Sequence, residues 1–182
     1  MSNIVSEELK NKAISLGLCQ QWQSEWSNLT KEQLVKLYLK GIHWAMERAY
    51  PNVRYVNENF SDLLSDNNIF TEGDHFLLHE YKAIGRGTSR LSAMYDMRDA
   101  GDLYIGDDAE CEIMAFDGAI VTVHLYQGAK LTVTRCEQDA KIFIYQYGGS
   151  VEVNQDNGTK SNSFSKSMAH STDVSIPALL KA

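Results

Sequence analysis

Proline is nearly missing from this 182-residue chain, with two in all, and that excludes collagen-like and proline-rich classes. Cysteine is sparse and odd in number: Cys19, Cys111 and Cys136, with no Cys-x-x-Cys pair. A disulfide scaffold is therefore not expected, and a reducing compartment is. No apolar run approaches the roughly 18–20 residues a membrane helix needs. The start, Met1 to Lys12, has no basic stretch followed by an apolar one, so no secretory signal is expected. A cytoplasmic protein without a membrane partner follows as the expectation. Positive charge is scarce as well. The net charge is -7, and residues 71–153 carry seven basic against fourteen acidic side chains. Such a surface repels phosphate backbones, so nucleic acid is not an expected partner.

What is present suits a globular protein. Hydrophobic residues make up 43% of the chain, near the norm for a folded domain. The length suffices for one compact domain or two small modules. Composition divides it into a helical module at 1–70, a β-repeat module at 71–153, and a polar tail at 154–182. The tail alternates Ser161, Ser163, Ser165 and Ser167, a composition read as flexible because it buries little surface.

All three tryptophans, Trp22, Trp26 and Trp44, fall in the helical module. Ser6 before Glu7 and Glu8 reads as a helix N-cap, and Gly17 as the end of that helix. A short second helix is expected over Cys19–Ser27. Thr30-Lys31-Glu32-Gln33 matches a capping box. Leu34, Leu37, Tyr38, Ile42, Ala45 and Ala49 follow at helical spacing until Pro51. Gly41 inside that pattern implies close approach of another element. Val53, Val56 and Phe60 continue a weaker helical pattern. One core shared by the three tryptophans, Leu34 and Tyr38 is expected.

The middle of the chain repeats. Ala109, Ala119, Ala129 and Ala140 recur at spacings of 10, 10 and 11 residues, after turn-forming residues. Two positions beyond each stands an apolar residue (Cys111, Val121, Leu131, Ile142), and two further another (Ile113, Val123, Val133, Ile144). Alternation of period two marks strands, and the turn residues mark corners. Fixed-period self-similarity is the mark of a stacked-repeat fold. The reading is α+β, an N-terminal helical module followed by a short-repeat β-solenoid of about four turns. In a solenoid each small alanine packs inside a tight bend. The alternative is an antiparallel β-meander packed on the helices, with Asp117-Gly118 and Gly148-Gly149 as hairpin turns. Either way Val121, Val123, Leu131, Val133, Ile142 and Ile144 should be buried.

Candidate chemistry is thin. His75 and His79 would share a strand face yet stand roughly 13 Å apart, too far for one metal ion. Gly85-Arg86-Gly87-Thr88-Ser89 lacks the phosphate-loop pattern. The aspartates at the corners are explained by turn chemistry, and Cys111 and Cys136 behave as small hydrophobes. No catalytic residue, cofactor or metal site is assigned. In solenoid register Thr122 stacks with Phe143, His124 with Tyr145, and Tyr126 with Tyr147. His124, Tyr126, Phe143, Tyr145 and Tyr147 thus form a candidate interaction strip, open to sugar rings or a protein, or else covered by the helices.

The order of a helical head containing Gly41-Ile-His-Trp-Ala-Met-Glu-Arg-Ala-Tyr-Pro51, then short repeats ending Ile144-Tyr-Gln-Tyr-Gly-Gly-Ser-Val151, resembles uncharacterised bacterial proteins with a helical head and a repeat-rich β tail. The resemblance covers roughly residues 5–153 and transfers no catalytic residue. Bactofilin-like polymer-forming proteins are similar only in using a short-repeat solenoid. Hexapeptide acyltransferases share that architecture too, but their six-residue repeat is absent here.

The functional expectation is a non-enzymatic structural or protein–protein interaction protein that self-associates through the repeat module, its partner a second copy or another protein. The alternative is a carbohydrate-binding or adhesion module using the aromatic strip. An enzyme of unknown class comes third, because no nucleophile, base or metal set converges in sequence.

Overall fold

The structure is a computed structural model and describes residues 4–137, 139–154 and 164–167. Five helices come first: α1 (Ile4–Ser15), α2 (Gln20–Glu25), α3 (Lys31–Lys40), α4 (Ile42–Glu47) and α5 (Val53–Leu64). The Thr30 capping box forms as the sequence predicts, with Gln33 N donating to Thr30 Oγ1 and Thr30 N to Gln33 Oε1. Asn52 caps α5 by accepting from Tyr55 N at 2.9 Å. The pattern from 31 to 49 is two helices rather than one, broken at Gly41. A Cβ at Gly41 would stand 3.1 Å from the Trp22 ring, so the glycine does admit a neighbour. Ser6 is not an N-cap. It lies inside α1, where its hydroxyl accepts from the Trp26 indole N–H at 3.2 Å. A buried indole needs an acceptor, and that demand outweighs the capping preference.

Among the described residues eleven strands follow: β1 (Ile69–Phe70), β2 (Asp74–Leu78), β3 (Lys82–Gly85), β4 (Arg90–Tyr95), β5 (Ala100–Ile105), β6 (Glu110–Ala115), β7 (Ile120–Leu125), β8 (Lys130–Cys136), β9 (Lys141–Gln146), β10 (Ser150–Val153) and β11 (Phe164–Ser167). They form two parallel sheets, in orders β1-β3-β5-β7-β9-β11 and β10-β8-β6-β4-β2. Each strand pairs with the strand two on, never with its sequence neighbour, and that is a β-solenoid. The antiparallel meander is excluded. Asp117-Gly118 is a corner between the two sheets, not a hairpin.

Ladder hydrogen bonds run straight through the corners. Lys130 N donates to Ala109 O at 2.9 Å, and Ser150 N to Ala129 O at 2.9 Å. Ala109, Ala119, Ala129 and Ala140 are fully buried there, as are all the expected inward residues. The extra residue of the fourth unit is absorbed as a bulge near Thr134 in β8, where Met114 pairs with Arg135 rather than with its predecessor. A bulge keeps the following inward position, Cys136, buried. Within the polar stretch after 153, Phe164–Ser167 adds β11 to the first sheet beside β9. The expectation of a flexible tail otherwise lies outside the described residues.

The head does not sit on the solenoid's end. It packs on the outer face of the first sheet, where Ile84, Tyr104 and Tyr126 join one core with Trp26, Leu34, Met46 and Phe60. The second core, between the sheets, is built from the inward residues. Among the described residues no helix packs on the outer face of the second sheet, which carries rows of charged side chains.

Candidate functional site: the aromatic–histidine cluster between head and sheet

The strip foreseen in the sequence has the foreseen register. Thr122 pairs with Phe143 and His124 with Tyr145. One turn earlier, Asp102 pairs with Thr122 and Tyr104 with His124. Parallel in-register strands place like positions one above another, so the rings stack. Tyr104 lies on His124 at 4.6 Å between centroids and His124 on Tyr145 at 5.2 Å. Tyr126 lies on Tyr147 at 5.0 Å.

The strip is only partly open. His124 and Tyr126 are buried beneath the head, Phe143 and Tyr147 are half-buried, and Tyr145 keeps 36% of its surface. His43 of α4 lies over the strip with its ring against those of Tyr104 and His124, while part of the residue stays exposed to solvent. Its Nδ1 lies 2.9 Å from the Tyr126 hydroxyl and its Nε2 3.4 Å from that of Tyr104. Tyr104 donates to Asp102 Oδ2 at 3.0 Å, so its oxygen accepts from His43 Nε2–H. Tyr126 then donates to a bare Nδ1. One neutral tautomer satisfies the chain from Asp102 to Tyr126.

The electrostatics agree. Desolvation, with His124 beside it, pushes the His43 pKa down to about 4. Burial acts to raise Asp102, but hydrogen bonds from His124 and Tyr104 outweigh it and hold the carboxyl below its ordinary value. Burial also pushes the phenols of Tyr104 and Tyr126 upward. His124 Nε2 lies 3.3 Å from Asp102 Oδ1, while its Nδ1 is buried without a partner among the described residues. Asp102 and His124 resemble half of a catalytic triad, and the other nitrogen of His124 lies among the rings of His43, Tyr104 and Tyr145. The two inward cysteines face the solenoid core, where burial pushes the Cys111 thiol up to about 12. The arrangement serves as a latch that fastens the head to the sheet.

The latch carries a pH prediction. His43 is neutral when folded and has an ordinary pKa near 6.5 when unfolded, so the unfolded chain binds the proton more tightly. Its contribution to stability is whole above about pH 6.5 and is lost as pH falls through about 4. Urea midpoints should therefore drop more between pH 7.5 and 4.5 in the wild type than in His43→Gln. Equal drops would remove the latch from the account.

A second cluster lies at the corners near the solenoid's start. His79, Asp96 and Asp99 bring donor atoms within 4.8 Å of one another, a set able to hold a divalent cation. His79 is hydrogen-bonded to Asp99, whereas Asp96 Oδ1 is buried without a hydrogen-bond partner among the described residues. The hydrogen bond to Asp99 raises the His79 pKa, and His79 Nδ1 also lies 3.5 Å from Asp96 Oδ1. His75 stays apart, bonded to Glu72 O at 2.8 Å. The glycine-rich Gly85–Ser89 segment is a solenoid corner, and its Arg86 is buried and ion-paired to Asp107 at 2.8 Å.

The sequence missed His43, Asp102 and Tyr104. Asp102 and Tyr104 stand twenty residues before Thr122 and His124, so running the repeat one turn back finds them. His43 sits on a helix and carries no repeat signal. No protein-family model, curated protein or solved structure matches the chain. Among the described residues no helix is long and apolar enough to cross a membrane.

Proposed function

We propose that the protein is a structural, self-associating module whose partner is a second copy, joined through the β2 edge of the second sheet. The observation that carries this reading is the character of that edge. Among the described residues β2 pairs only with β4, leaving one row of backbone donors and acceptors free. Large apolar side chains surround it: Phe76 is 62% exposed, Leu78 44%, and Tyr81 69%. Natural edge strands are usually protected by charge or proline, and apolar residues at a free edge instead favour pairing.

The rows of side chains favour a closed dimer over a filament. Along the second sheet Asp74, Arg90, Glu110, Lys130 and Ser150 form one outward row, and Phe76, Ser92, Glu112, Thr132 and Glu152 the next. Asp74 pairs with Arg90, and Glu110 with Lys130. Head-to-tail stacking of β10 on β2 would set Glu152 beside Phe76. A two-fold axis at Phe76 sets the two Phe76 rings together instead and closes the assembly. The carbohydrate reading has less support, because His124 and Tyr126 lie under the head.

Sedimentation across a concentration series checks this. The wild type should move from 20.5 kDa toward twice that mass, whereas Phe76→Lys should stay a monomer with its fold intact. A wild type that remains monomeric at high micromolar concentration sinks the proposal.

A further inference from the structure

The head lines a half-open void of about 80 Å³. Its wall is almost wholly apolar, including Leu18, Trp22, Trp26, Val35 and Phe60, and Arg86 reaches it from the corner after β3. Arg86 is 1% exposed. Its Nε donates to Asp107 Oδ2 at 2.8 Å and its Nη1 to the Pro51 carbonyl at 2.7 Å. Its Nη2 is buried and makes no close hydrogen bond among the described residues, although the Tyr38 hydroxyl, on another lining residue, lies beside the guanidinium and, against the lowering effect of burial, helps raise its pKa. A buried donor without a close partner is costly, so an acceptor that reaches it is favoured.

We propose that this void is a binding site for a small neutral molecule with a short aliphatic body and one oxygen acceptor, a hydroxyl or carbonyl, that takes the free N–H of Arg86 Nη2. Asp107 already balances the guanidinium charge, so a carboxylate ligand would bury a second negative charge without a counter-ion. A hydrocarbon would fill the space but leave Nη2 unpaired. Water is a poor occupant because it needs two to four polar partners, and the wall offers few. An engineered cavity of about 150 Å³ admits benzene. A void about half as large suits a molecule of roughly five heavy atoms on the same scale.

All three tryptophans line the void, so their emission reports its occupancy. The test titrates the full-length protein with 1-butanol, butanoate and n-pentane, following fluorescence and calorimetry. The site should give a saturable response to 1-butanol and bind the other two at least about tenfold more weakly, as expected for one buried hydrogen bond lost. Ala45→Leu, on a lining residue, should abolish the response while helical circular dichroism persists. Arg86→Met should bring 1-butanol down to the level of pentane. If Arg86→Met does not fold, the filled-void variant and the three wild-type titrations still decide. No saturable 1-butanol response, equal binding of pentane, tighter binding of butanoate, or an Ala45→Leu variant that still responds would each overturn the site.

Discussion

Gly101→Val is expected to destabilise the protein by about 3 kcal/mol, the upper end for forcing extra atoms into a packed core. Position 101 is an inward one, in register with Val121 and Ile142, and repeat logic alone would welcome a valine there. The obstacle is Tyr95, wholly buried between the sheets with its hydroxyl donating to Glu80 O at 2.8 Å. A Cβ at 101 would stand 2.6 Å from the Tyr95 ring. One large ring thus fills the space of two side chains. Tyr95→Ala alone should also cost several kcal/mol, about 3–5 for a buried aromatic. The double variant should be clearly more stable than the sum of its parts, with a coupling of about 1–3 kcal/mol. Urea melts of the four proteins measure it. Strict additivity would mean that the two positions do not share that space.

Trp26→Ala should cost about 3–5 kcal/mol and is the most damaging single change expected in the head. Trp26 is 7% exposed, and its indole donates to Ser6 Oγ, which also accepts from Leu29 N at 3.3 Å. Truncation leaves a cavity and removes one of the hydroxyl's partners, with Leu29 N and the Ser27 carbonyl remaining. From sequence, Trp44 belongs to the shared core and its removal is expected to cost about 3–5 kcal/mol, but Trp44 is only half-buried, with Arg48 over its ring at 4.9 Å. Trp44→Ala should cost less than half as much in the same denaturant series. Equal losses would show that the head's core is centred elsewhere.

The solenoid was legible because its information is local and repeated. Alternation names the inward residues, the ten-residue spacing names the corners, and adding two units gives the parallel register without any long-range knowledge. The pairing of His124 with Tyr145 followed from that arithmetic. The position of the head did not. Which face a helix covers depends on single contacts such as His43 with Tyr126 or Arg86 with Pro51, and these join residues with no common period. Ser6 shows the same limit on a small scale: its local sequence is that of a cap, and only the distant Trp26 makes it a buried acceptor. The His79 cluster was half-seen for a related reason. Its partners are Asp96 and Asp99, one solenoid turn away, not His75 four residues before it.

Pairing of two chains along β2 about a two-fold axis at Phe76 is open to disulfide trapping. Antiparallel neighbours hold their Cα atoms about 4.5–5.5 Å apart, within the range that a disulfide spans. Cys19 is the exposed native thiol, and Cys111 and Cys136 are buried, so the measurement is made in a Cys19→Ser background. Phe76→Cys should oxidise rapidly at micromolar concentration to a single covalent dimer on a non-reducing gel, and Glu152→Cys should not. Phe76→Cys that stays monomeric contradicts the account. So does a ladder of higher species from the Phe76→Cys/Glu152→Cys pair, which would place β10 of one chain on β2 of the next.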